Sequence, residues 1–127
     1  MGRYEELPVF RDVYALTSRV FEVTQHFPRE YKFTLGQDMK RDCLMLLRQI
    51  YRINRSEDKV EGLEVFMDDF ELLRLEIRLA TDLKIMSVRR QADLAVLMDS
   101  IGRQVTGWRN ASRNARVAPV TADASAQ

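Results

Sequence analysis

The sequence predicts an all-α protein, an up-down-up-down antiparallel four-helix bundle followed by a disordered C-terminal tail. Apolar residues recur with helical spacing in four long segments. The 127 residues include only five Gly and three Pro, too few for the many turns of a β-sandwich or barrel. Short connections between helices of similar length favour antiparallel neighbours. We therefore expect one bundle domain over residues 1–110 and a tail over residues 111–127.

The first predicted helix runs from about Pro8 to Phe27. Proline suits a first helical turn, because the N–H that it lacks would be unpaired there. Pro28 ends the pattern. The residues that share the apolar face are Phe10, Val13, Thr17, Val20, Phe21, Thr24 and Phe27.

The second predicted helix runs from about Leu35 to Ile53. Thr34 precedes Gln37 with the spacing of a capping box, in which the threonine hydroxyl accepts a backbone N–H. The residues of its apolar face are Met39, Cys43, Leu46, Leu47, Ile50 and Ile53.

The stretch HFPREYKFTLGQDM, residues 26–39, connects these two helices. We interpret it as a corner in which Tyr31 and Phe33 close the open end of the bundle. Its cations Arg29 and Lys32, interleaved with aromatic residues, leave a nucleic-acid-binding loop as the alternative.

The third predicted helix runs from Glu57 to Leu83, with Ser56 as its N-cap. The fourth starts after Ser87, another N-cap candidate, and runs to about Trp108. The sequence that follows is small, Ala-rich and aperiodic, which predicts the disordered tail. The main apolar face of the third helix contains Val60, Leu63, Phe66, Met67, Phe70, Leu73 and Ile77, and that of the fourth contains Leu94, Leu97, Met98, Ile101, Val105 and Trp108.

Catalysis, cofactors and metal binding are poorly supported by the sequence. His26 is the only histidine, which excludes a His-rich metal site, and the single Cys43 lies on an apolar face, where a thiol is usually inert. The stretch GRQVTG, residues 102–107, is not followed by the Lys and Ser/Thr of a phosphate-binding loop. We expect no enzyme activity, no cofactor and no small-molecule substrate.

Targeting signals are also absent from the pattern. The first ten residues lack an apolar signal core, and no apolar run approaches the ~18 residues of a membrane span. One cysteine allows no intrachain disulfide. We therefore expect a cytoplasmic protein with no membrane contact.

Charge is sorted along the chain although the net charge is only +1. Residues 1–55 hold ten basic and seven acidic residues, residues 56–83 hold three and nine, and residues 84–127 hold seven and three. A protein that binds nucleic acid non-specifically is usually more basic overall. Any such binding must therefore use a local surface.

One such surface is an arginine stripe on the second helix. At ~100° per residue its members lie within ~60° of one another, opposite the apolar face. Arginine suits phosphate because its planar fork bonds two oxygens at once. The alternative is a solvated face that Asp38 and Asp42 neutralise at one end. The arginine stripe consists of Arg41, Arg48, Arg52 and Arg55.

The third helix carries an acidic stripe with similar helical spacing. Like charges at this spacing repel along an isolated helix, so a basic surface on a neighbouring subunit is one candidate partner and plain solvation is the other. The acidic stripe consists of Glu57, Glu61, Glu64, Asp68 and Glu71.

The third helix also has an apolar strip apart from its main apolar face. One bundle core needs one stripe per helix, so a second strip predicts another packing partner and an oligomer interface. The alternative is that the third helix is the most buried helix of a monomer. The apolar strip consists of Val65, Leu72, Leu75, Leu79 and Leu83.

Basic residues also continue from the fourth helix into the tail. Arginine near a helix C-terminus is favoured by the helix dipole, and a basic end can also wrap RNA. These residues are Arg103, Arg109, Arg113 and Arg116.

Several stretches together resemble the accessory variability determinant (Avd) family of diversity-generating retroelements. They are the Phe27–Pro28 corner, YKFTLGQ at 31–37, LRLEIRLATDLK at 73–84 and the segment from Gly102 to Trp108. No single motif is diagnostic, but their order and spacing are similar to the family over about residues 7–110.

The resemblance implies a homopentameric barrel of four-helix bundles without catalytic activity. Family members bind the element's reverse transcriptase and its template-repeat RNA or complementary DNA, and they serve mutagenic synthesis and retrohoming. Carried onto this chain, that role falls on the arginine stripe together with Arg103 and Arg109. The wider relatives are bundle proteins of 23S ribosomal RNA intervening sequences; such a protein, or a generic protein–protein adaptor without a nucleic-acid role, is the alternative.

Overall fold

A computed structural model describes the backbone of residues 3–126 and the side chains of residues 3–116. Throughout this part the regular structure is helical, which confirms the all-α prediction. A short 3-10 turn, Tyr4–Glu6, comes first. The helices are α1 (Pro8–Thr24), α2 (Arg29–Lys32), α3 (Leu35–Arg55), α4 (Val60–Asp82) and α5 (Val88–Ala126). The four predicted helices are thus α1, α3, α4 and α5, and the one-turn helix α2 was not predicted.

Each long helix packs against two others. Both α1 and α4 contact α3 and α5, so α1 and α4 lie at opposite corners of the bundle. Paired contacts run in opposite chain order: along α3, Gln49 bonds Asp69 (2.5 Å), whereas the later Ile53 packs on the earlier Gly62 of α4. The largest fully buried side chains come from all four helices: Val13, Leu16, Val20, Met39, Leu46, Ile50, Leu63, Phe66, Leu73, Leu94, Ile101 and Val105.

The corner between α1 and α3 differs from the prediction in one aromatic residue. Phe27 is buried beyond the end of α1, and Gly36 lies so close that a Cβ there would stand 3.3 Å from the Phe27 ring. Tyr31 packs against the core, as expected. Phe33, however, is 66% exposed, so the prediction that it closes the bundle end is wrong. The one-turn helix α2 places these two aromatic residues on different sides of the chain.

The predicted capping box at Thr34 is wrong. Its hydroxyl makes no cap bond and instead donates to the Glu30 carbonyl oxygen (3.0 Å), because α2 brings that carbonyl within reach. The N-cap prediction at Ser87 is confirmed, since its hydroxyl accepts the backbone N–H of Arg90 (3.1 Å).

The third predicted helix begins later than expected. Ser56 follows α3 and donates its hydroxyl proton to the Arg52 carbonyl (2.9 Å), so it is not the N-cap of α4. The Asp58 carboxylate accepts the Val60 N–H (3.1 Å) instead. Asp58 therefore accepts the N–H at the start of α4, the role that we predicted for Ser56.

The C-terminus of α4 requires a left-handed residue. Lys84 has φ 63°, and its N–H donates to the Thr81 carbonyl (2.9 Å), while the Ile85 N–H donates to the Ala80 carbonyl (3.1 Å). These two bonds form a Schellman motif, in which glycine is the usual left-handed residue. Lysine in this position is strained.

The last helix, α5, continues beyond Trp108, where we expected it to end. Two arginines of the continuation pair with α4 and the residues before it: Arg113 donates to Glu64 (2.7 Å), and Arg116 pairs with Asp58. These ion pairs favour a helical conformation for residues 111–116, which we had predicted to be disordered because their sequence lacks apolar periodicity. Side chains after Arg116, on which the rest of the predicted tail falls, lie outside the described residues.

Candidate functional site

The arginine stripe lies along the outer side of α3. Its end members have partners: Arg41 pairs with Asp38 (3.1 Å), and Arg55 donates to the Tyr51 hydroxyl (2.8 Å). Arg48 and Arg52 are exposed and form no ion pair with any described side chain. The centre of the arginine stripe is therefore the part that can receive an anion without first breaking an ion pair.

The other two predicted arginines lie elsewhere. Arg103 is exposed and lines a groove between α4 and α5, while Arg109 is half-buried, with Nη1 3.5 Å from Met67 Sδ. Helix α5 lies at the corner opposite α3, so the structure does not bring these residues together with the arginine stripe. The six predicted arginines form no single patch.

The apolar strip on α4 is exposed. Its five members retain between 40% and 50% of their accessible surface. The rest of the described chain therefore does not cover these five side chains. At about 25 cal/mol per Å² of apolar surface, covering five such side chains is worth several kcal/mol. The apolar strip is thus an exposed surface that another molecule could cover with a gain in stability.

The acidic stripe is partly neutralised within the chain. Glu64 accepts from Arg113 of α5, and Glu71 accepts from Arg74 (3.2 Å) on its own helix. The hydrogen bond from Arg116 also lowers the pKa of nearby Asp58. These pairs offset part of the repulsion along α4 without a neighbouring subunit.

A second apolar surface, which the sequence analysis missed, lies between α1 and α3. Tyr14 is 61% exposed and Leu44 is 51% exposed, and Phe21, which we assigned to the core, also remains exposed. The spacing of Phe10, Tyr14 and Phe21 on one side of α1 is the signal that was available. We define the α1–α3 groove by its lining residues: Tyr14, Thr17, Ser18, Phe21, Leu44 and Leu47.

A buried carboxyl group lies at the seam between α3 and α4. Glu76 is 9% exposed, and its Oε1 has no hydrogen-bond partner among the described residues. Burial, reinforced by the neighbouring carboxyl groups of Asp42 and Asp38, raises its pKa to about 8, while Arg41 acts in the opposite direction. Glu76 also adjoins the apolar strip, because Leu72 and Leu79 lie four residues before it and three residues after it on the same side of α4.

Three further observations concern the thiol, the candidate metal ligands and the hydropathy of the described residues. Cys43 is fully buried, and burial raises the pKa of its thiol to about 12. The described His, Cys, Asp and Glu residues include no group of three or more that are placed to hold a metal ion. Among the helices of residues 3–126, none is long and apolar enough to cross a membrane.

Comparison with known proteins points to one family. A family model described as bAvd-like matches residues 9–112, which contain all of α1 except its first residue, all of α3 and α4, and α5 as far as Ser112. No curated protein matches the chain.

Proposed function

Because this chain belongs to the bAvd-like family, we propose that it is a non-catalytic accessory protein of a diversity-generating retroelement. In this role it forms an oligomeric scaffold, a homopentamer by resemblance, that binds the element's reverse transcriptase and its template RNA or complementary DNA in the cytoplasm. The observation that carries the proposal is the family match over residues 9–112.

We propose that each subunit is an up-down-up-down antiparallel bundle. The contacts of Gln49 with Asp69 and of Ile53 with Gly62 support opposite directions for α3 and α4. The Asp12 carboxylate of α1 accepts hydrogen bonds from the Ser100 hydroxyl (2.8 Å) and the Gln104 side-chain amide (2.6 Å), which tie α1 to the first half of α5.

The apolar strip supports the oligomeric part of the proposal. Monomeric proteins rarely leave a continuous row of leucines half exposed on one helix, and such rows usually mark an interface. A second copy of the chain is the partner that is always available to cover it.

The arginine stripe supports the nucleic-acid and polymerase part. Arg48 and Arg52 are exposed on one side of α3 and are without ion pairs among the described side chains. Phosphate oxygens are natural acceptors for such guanidinium groups. With a net charge of only +1, the chain depends on this local surface to attract an anion.

The test replaces Arg48 and Arg52 by Glu and measures binding to the template RNA and, separately, to the reverse transcriptase. We expect RNA affinity to fall at least about tenfold near 0.1 M salt, and the log–log salt slope to weaken by about 1.4 for each copy that contacts a single strand. The matched control is Arg11→Glu with Arg89→Glu, which changes net charge equally at exposed positions on α1 and α5.

Unchanged binding of both partners by a folded R48E/R52E protein would remove the arginine stripe from the proposal. Equal losses in the control protein would show that net charge, rather than the arginine stripe, governs binding. Circular dichroism and thermal melting of each variant establish that the bundle is intact.

A further inference from the structure

A pair of carboxyl groups lies beside the apolar strip, at the seam between α3 and α4. Glu76 of α4 is 9% exposed and forms a hydrogen bond with the half-buried Asp42 of α3. Two ionised carboxylates cannot share a hydrogen bond, because neither has a proton to donate. The pair therefore holds one proton, and the deeper burial of Glu76 places that proton on its side chain.

The groups of α3 that face Glu76 do not compensate a negative charge on it. Asp42 and Asp38 repel such a charge, and the buried Cys43 thiol is a neutral neighbour. Arg41 attracts a negative charge, but its guanidinium is exposed and already pairs with Asp38 (3.1 Å). The net effect of α3 is therefore to keep Glu76 protonated.

The other helices supply no compensating charge either. Helix α5 contacts α4 on its far side: Arg109 lies against Met67 (3.5 Å), and nine residues at ~100° each place Met67 opposite Glu76. On α4 itself, the positions three and four residues from Glu76 are all apolar. No described group donates a hydrogen bond to Glu76 Oε1, so an ionised Glu76 depends on water.

Water reaches Glu76 from the side of the apolar strip. Leu72 and Leu79, which flank it on that side, are 49% and 47% exposed, whereas Leu73 and Ala80 on its other side are buried. A molecule that covers the apolar strip therefore removes the remaining water from the carboxyl group. Without water or a donor the ionised form is strongly disfavoured, so a dry contact requires the protonated form.

From this arrangement we propose that Asp42 and Glu76 form a proton switch for assembly. A second copy of the chain covers the apolar strip while Glu76 holds its proton, and ionisation of Glu76 releases that copy. The inference rests on the homo-oligomer of the proposed function and adds its regulation by pH. It requires only that the apolar strip is part of the contact, whichever surface of the second copy meets it.

The direction of the pH dependence follows from the proton balance. Burial and the neighbouring carboxyl groups raise the pKa of Glu76 to about 8 in the uncovered chain, and covering the apolar strip raises that pKa further. Assembly is therefore strongest below that pH and weakens as the pH rises through it. The protonated fraction falls from about 0.9 at pH 7 to about 0.09 at pH 9, so each contact should weaken about tenfold over this interval.

Light scattering of dilution series of the full chain, between pH 6 and 9, tests the switch. The native protein should need an at least tenfold higher concentration to stay half assembled at pH 9 than at pH 7, roughly the factor by which the protonated fraction falls. Glu76→Gln cannot ionise and still donates a hydrogen bond to Asp42, so it should assemble equally at both pH values. Asp42→Asn removes the repulsion of Glu76 and should move the loss of assembly to lower pH.

The matched control is Asp68→Asn, which removes an exposed carboxylate four residues before Leu72 and should keep the native pH dependence. Circular dichroism at each pH separates dissociation from unfolding. An oligomer that weakens equally in the native and E76Q proteins, or that does not weaken at all, would overturn the switch and leave the homo-oligomer intact. A native protein that is monomeric at every pH would overturn both.

Discussion

Replacing Glu76 by Gln should make the stability of the protein much less dependent on pH. The carboxyl group is 9% exposed and stands beside Asp42, so its charged form is disfavoured in the folded state, and its pKa rises from 4.5 to about 8. The folded protein then holds a proton that the unfolded chain releases. Stability is highest below the unfolded pKa and is lost as pH rises towards the folded pKa.

The size of the stability loss follows from the interval between the unfolded and folded pKa values of Glu76. Each pH unit between the unfolded and folded pKa values costs about 1.4 kcal/mol, so the loss between pH 4.5 and 8 is at most about 5 kcal/mol. Urea unfolding followed by circular dichroism between pH 5.5 and 8.5, at one protein concentration, measures it. The E76Q protein should keep its stability across this range and exceed the native protein by a few kcal/mol at pH 8.

A matched control is Glu61→Gln, which removes an exposed carboxylate from the same helix. This variant should retain the native pH dependence. Parallel stability profiles for the native and E76Q proteins would refute the argument, because they would show that Glu76 titrates alike in the folded and unfolded chains.

Two further predictions concern single positions. Lys84→Gly should stabilise the protein by about 1 kcal/mol in urea unfolding, because glycine adopts the left-handed conformation at φ 63° without strain; a loss of stability would contradict the Schellman assignment. Cys43 should resist iodoacetamide at neutral pH until the protein is denatured, because burial raises its pKa to about 12; mass spectrometry would detect native-state labelling, which would contradict that burial.

Periodicity predicted the four long helices, because an amphipathic helix repeats its pattern over many residues and must bury that face. Helix ends were less predictable. Thr34 and Ser56 have side chains that suit an N-cap. Each hydroxyl instead donates to the carbonyl four residues earlier, because that carbonyl lies in the last turn of the preceding helix, α2 for Thr34 and α3 for Ser56. The pairing of Arg113 with Glu64 likewise depends on two distant segments, so the continuation of α5 left no local pattern to detect.

The candidate surfaces also divide into those that one segment forms, which were predictable, and those that depend on two segments, which were not. The apolar strip was predictable because its members repeat with helical spacing along α4 and end at Leu83, the C-cap residue of that helix. The α1–α3 groove was missed because two helices build it, and Phe21 fitted the core pattern of α1 equally well. The burial of Glu76 was missed because a carboxylate is usually expected to be exposed. The available signal was its position in LRLEIRLA between Leu73 and Ala80, which are both buried.

The continuation of α5 also gives the chain an optical reporter. Trp108 is the only tryptophan, and it lines a cavity with Lys59, Ser112 and Arg116, between the α3–α4 connection and residues 108–116 of α5. The ion pairs of Arg113 and Arg116, which hold this segment, are exposed and therefore sensitive to salt screening. The emission of one indole thus reports, without any label, whether residues 108–116 of the last helix are packed against the bundle or released from it.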